Sequence, residues 1–187
     1  GKYLTSNPDM ADMGISSEGS RKQMIQDYFS RIMHKPRRKW FDLYTPLEVN
    51  GVFLGNGGFI ITLFTFISVN EKKCQNHRPE QVYQLTEDVI SQSLSHICLN
   101  YVTEIDGLIA AVSIFPRSSE ESILLVGPDL VAGVKTQCDT SVKELDEQYG
   151  IVAKCYVGNA TYGIESLPAA YHNVYNFWIY DEFMQGK

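Results

Sequence analysis

Apolar residues recur at steps of three and four after residue 21. Met24, Ile25, Tyr28, Phe29, Ile32 and Met33 form one stripe, which predicts an amphipathic helix. Ser17 or Ser20 is placed to cap its start, and Pro36 is expected to end it near His34. A second helical stretch is expected next, with Trp40, Leu43, Tyr44 and Leu47 on one side and an Asn50-Gly51 turn behind it. After the cluster Gly55-Asn56-Gly57-Gly58 the pattern changes. Phe59 to Val69 reads FIITLFTFISV, β-branched and aromatic throughout, which predicts a central strand covered on both faces. Pro79 suits the first position of a helix whose stripe is Val82, Leu85, Val89, Ile90, Leu94 and Ile97. Two strand-like runs, Cys98 to Ile105 and Leu108 to Phe115, flank Asp106-Gly107. That dipeptide marks a two-residue hairpin, because both of its residues must take φ > 0. Residues 118–149 are expected to be mostly helical, with Pro128 opening the main helix and Gly150 stopping it. Its apolar face is Leu130, Val131, Val134, Cys138, Val142 and Leu145. A last strand is expected from Ile151 to about Ala160, and a last helix from near Ser166 to Met184.

This order contains a β-α-β-β-α-β core. It predicts an α+β fold: a four-stranded antiparallel sheet with helices on one face, ferredoxin-like, behind extra N-terminal helices. The expected organisation is a flexible lead-in over 1–20, an N-terminal helical segment over 21–57 and the α+β domain over 58–187. A chain of 187 residues buries roughly 70% of its unfolded surface, so it needs no metal or disulfide to fold.

Charge and composition narrow the chemistry. A net charge of −6 argues against gripping a phosphate backbone. The one basic run, Lys35, Arg37, Arg38 and Lys39, reads as a solvated helix end. Cys74, Cys98, Cys138 and Cys155 show no CxxC spacing, and Cys98 and Cys155 sit in apolar runs as small core residues. A reducing, cytoplasmic setting is expected. His34, His77, His96 and His172 have no ligand spacing. No run reaches the ~18 apolar residues of a membrane span. The polar start, Gly1 to Ser20, is not expected to be a signal peptide, and a start at Gly is expected of a piece of a longer protein. The Gly55 to Gly58 cluster lacks the Lys-Ser/Thr of a P-loop and precedes a strand, so it reads as a connector. Aromatic residues crowd the C-terminal helix, where Tyr171, Tyr175, Trp178 and Phe183, with Phe177 and Tyr180, are candidate interface residues.

Three places carry a family resemblance. The first is Arg21 to Met33 (RKQMIQDYFSRIM) followed by Leu47-Glu-Val-Asn-Gly51. The second is Phe59 to Val69. The third is Tyr149 to Gly158 (YGIVAKCYVG) followed by Glu165-Ser-Leu-Pro-Ala-Ala-Tyr171. Through these the chain resembles the degenerate GGDEF-like middle region of AraC-type transcription regulators, including two-component response regulators. Its core resembles the GGDEF-type diguanylate cyclase fold. The resemblance implies a nucleotidyl-cyclase-like frame, in which active members hold Mg²⁺ with carboxylates on the first strand and the following hairpin. Here Thr62 to Ser68 offers no Asp or Glu, and Glu104, Asp106 and Gly107 stand in place of the cyclase signature. No catalytic, cofactor or metal residue is therefore expected. Asp106 reads as a turn residue and Glu104 as a solvated hairpin flank.

The function so implied is a non-enzymatic signal-transmitting or dimerisation domain in a bacterial regulator. Its expected partners are a second copy and the parent protein's flanking domains. DNA would be met only through a helix-turn-helix outside this chain, and no membrane is expected. A metal-independent sensor of a small molecule or nucleotide is the competing reading, and a nucleotidyl cyclase with unusual metal ligands is the third.

Overall fold

Two mostly apolar strand runs decide the architecture, because a strand that is apolar on both sides must be covered on both sides. A computed structural model describes residues 7–34, 57–70, 72–74, 78–115 and 123–186. The elements in chain order are α1 (Asn7–His34), β1 (Gly58–Val69), α2 (Pro79–Leu94), β2 (Leu99–Ile105) and β3 (Leu108–Phe115). They continue with α3 (Ile123–Tyr149), β4 (Ile151–Val157), β5 (Thr161–Tyr162), a 3₁₀ turn at Ile164–Ser166 and α4 (Leu167–Gln185). The main strands lie in the order β2-β3-β1-β4 and every pairing is antiparallel. The short β5 pairs with the start of β1 at Gly58 and Phe59.

Alternation along the central strands sorts the core into two layers. Phe59, Ile61 and Leu63 of β1 and Ala110, Val112 and Ile114 of β3 face α1 and α4. Ile60 and Phe64 of β1 and Ile109 and Ala111 of β3 face α2 and α3. Helices thus cover both faces, which corrects the one-face expectation. The reason was already in the two mostly apolar runs, although β1 is covered on both faces only over its first part, its end at Ile67 to Val69 being exposed.

Several boundaries also differ from the sequence reading. α1 begins at Asn7, ahead of Ser17 and Ser20, so much of the expected lead-in is helical. Pro128 lies inside α3 rather than opening it. α2 ends at Leu94, and Ile97 sits in the following turn, 39% exposed. The expected last strand is split: Gly158 donates its N–H to the Ile61 carbonyl at 2.9 Å, and the chain re-pairs with β1 only at Thr161. The second helical stretch, the Asn50-Gly51 turn, the basic run and His77 lie outside the described residues. No helix among the described residues is long and apolar enough to cross a membrane.

α1 and α2 lie on opposite sheet faces, yet Lys22 of α1 sits 2.5 Å from the Glu87 carboxylate of α2 and also bonds Gln84. Both helices pack on β2. Two helices on opposite faces can meet only around an edge, so this ion pair closes over the outer side of β2.

All four thiols are free. Cys74 and Cys138 are fully buried, whereas Cys98 and Cys155, expected as core residues, are half-buried. Burial pushes the Cys138 thiol up to about 12, and burial with the nearby Asp139 carboxylate pushes Cys155 up to about 11. Only the thiolate attacks disulfide reagents, so the folded chain should react with such a reagent at pH 8 at least ~10-fold more slowly than the urea-unfolded chain. Equal rates would contradict the burial of Cys138 between α3 and the sheet.

Candidate functional site

The β2-β3 hairpin closes through Asp106 at φ 54° and Gly107 at φ 79°, the two left-handed positions that the sequence demanded. Asp tolerates that conformation better than most residues do. The turn also aims the Asp106 carboxylate at two helices. Its Oδ2 accepts a hydrogen bond from the Tyr171 hydroxyl of α4 at 2.5 Å and from His34 Nε2 of α1 at 2.9 Å. A carboxylate only accepts, so His34 carries a hydrogen on Nε2.

The surroundings are graded from wet to dry. The side chains of His34 and Asp106 are 45% and 37% exposed, whereas Tyr171 is fully buried in the sheet core. Burial first, and then the adjacent Asp106 carboxylate, hold the Tyr171 phenol well above its ordinary range, so it stays a donor. The His34 ring meets Tyr171 and His172 edge-on, each at 5.7 Å between centroids. Tyr171 also meets Tyr175 at 5.8 Å, and Tyr175 meets Trp178 at 5.3 Å. One turn residue thereby joins the last residue of α1, the hairpin and the first turns of α4.

Some predicted site residues converge here and others do not. Asp106 does more than shape its turn. Gly107 supplies the second positive φ. Glu104 is half-buried opposite Ile109 and lies on the α2 side, where its charge helps to raise the Glu87 carboxyl. Among the candidate interface residues, Tyr171 is core rather than surface, and Tyr175 and Trp178 are half-buried against the same core. Phe183 is 62% exposed. The exposed apolar positions of α4 also include Phe177, Ile179, Tyr180 and Met184, of which Ile179 and Met184 had not been singled out. His34 and His172 were missed as well. They carry no local motif, and the His34–Asp106 pair spans 72 positions of sequence.

The arrangement is suited to holding elements together. Among the described residues no three His, Cys, Asp or Glu side chains are grouped to hold a metal ion. Both hydrogen bonds of the Asp106 carboxylate come from helices that it docks. No protein-family model, curated protein or solved structure matches the chain.

Proposed function

We propose that the chain is a non-enzymatic signal-transmitting and self-associating domain of a bacterial AraC-type transcription regulator, on a ferredoxin-like frame of the nucleotidyl-cyclase kind. The antiparallel order β2-β3-β1-β4 and the β-α-β-β-α-β succession support the frame. The observation that carries the functional reading is the shared Asp106 carboxylate. It binds α1 and α4 at one oxygen, so displacement of either helix is felt by the other and by the hairpin. The residue that stands in place of the cyclase signature is thereby engaged in helix docking. Stretches of chain leading into α1 and out of α4 are the natural mechanical inputs and outputs of such a junction.

Amide hydrogen exchange tests this. In Asp106→Ala, exchange should quicken in both the last turn of α1 and the first turns of α4, by about 3-fold to 10-fold. A response confined to the hairpin amides would mean that the junction transmits nothing, and the reading would fall.

A further inference from the structure

A second polar site lies apart from the Asp106 junction and shares no residue with it. It is a cavity of about 270 Å³ between α1 and α2, at the outer side of β2. Its walls are oppositely charged. α1 contributes Arg21 and Lys22, and α2 contributes Glu87 and Asp88. Lys22 and Glu87 neutralise each other, and Glu87 is buried. Arg21 makes no ion pair with the described residues, so a guanidinium remains for an incoming anion. At the floor, Asn100 donates from Nδ2 to the Ser91 carbonyl and to Ser95 Oγ, each at 3.2 Å. Those bonds fix the amide orientation and leave Asn100 Oδ1 buried with no hydrogen-bond partner. A buried acceptor without a donor is uncommon and costly, and it marks the Asn100 side of the cavity as polar. Tyr101 and Val102 supply apolar lining.

Size and charge together select the ligand class. The volume falls below the ~300–1,000 Å³ of pockets for drug-sized molecules, so the occupant is small. With Lys22 and Glu87 paired to each other, Asp88 still disfavours a polyanion such as a nucleotide and Arg21 still disfavours a simple cation. A zwitterion answers both walls. We propose that this cavity binds a free α-amino acid, its carboxylate on Arg21 and its ammonium on Asp88. This goes beyond the signal-transmitting reading and does not depend on it, because the cavity residues and the Asp106 junction can be altered separately.

Isothermal titration of the 187-residue chain with each standard L-amino acid provides the test. At least one should bind with a Kd below about 1 mM, while its N-acetyl derivative and its methyl ester should bind at least ~10-fold more weakly. Arg21→Ala and Asp88→Asn should each weaken binding by at least ~10-fold, with the melting temperature of the ligand-free variants unchanged. Absence of binding by every amino acid at ~10 mM overturns the proposal. So does binding that the capped derivatives match, or that both variants leave intact.

Discussion

Truncating Tyr171 to alanine should cost the fold about 4 kcal/mol in urea denaturation, the upper range for loss of a large buried aromatic side chain. The ring is fully buried among Phe59, Ile61, Leu167 and Val174, and its hydroxyl is one of the two donors to Asp106. Tyr171→Phe separates the two contributions. It keeps the packing and removes the donor to a partly solvated carboxylate, so about 1–2 kcal/mol should be lost. The alkaline limb provides a second readout. The folded phenol is held above its ordinary value of 10, so the folded chain keeps a proton that the unfolded chain releases. Stability from this residue is therefore complete below about pH 10 and declines as pH rises beyond it. The phenylalanine variant should lose that share of the decline. Tyr156, which burial and Asp181 shift in the same direction, and the raised Cys138 and Cys155 thiols contribute further shares of that decline. A cost below about 2 kcal/mol for the alanine variant would be incompatible with a ring packed on all sides.

Gly158→Ala should be nearly as damaging, at about 3 kcal/mol, because overpacking here meets backbone. A Cβ at this position would stand 2.6 Å from Val174 Cγ2 and 2.8 Å from the Ile61 carbonyl oxygen. The Gly158 N–H already bonds that oxygen, so neither segment can retreat without breaking the last contact between β4 and β1. Gly133→Ala is the matched control. It lies inside α3, and its new Cβ would meet nothing nearer than Ile97 Cδ1 at 3.6 Å. Relief of glycine's helix penalty should make that variant about 0.5–1 kcal/mol more stable. Equal and small effects of the two substitutions would refute the close approach of α4 to the end of β4.

Local chemistry made much of the fold legible. The strand at Phe59 to Val69, the helix begun by Pro79 and the Asp106-Gly107 hairpin all follow from neighbours in sequence, and each stands where its signal placed it. The start of α1 was hidden because the Ser, Gly and Asp residues before Arg21 read as loop formers. The second helical layer was readable in principle, since β1 and β3 have no polar face to present to water. The site was far less legible. Nothing near His34 announces that Asp106 will receive it, and nothing near Tyr171 separates a surface aromatic residue from one seated in the core. Positions along α4 distinguish themselves only once the sheet lies beneath them. The hydrophobic side of that helix is poorly marked, because aromatic residues surround it on nearly every side.

The Lys22–Glu87 contact has a consequence for colloidal behaviour. An outermost strand with one bonded flank is a template on which further chains can stack, and such growth leads to fibrils. In this molecule the way onto β2 is barred by one flexible amine reaching across to a buried acid. Guards of that kind weaken with added electrolyte to the extent that they face solvent, and the Lys22 side chain is 41% exposed. Resistance to self-templated growth at this strand is thus tied to ionic conditions rather than to the size of the core.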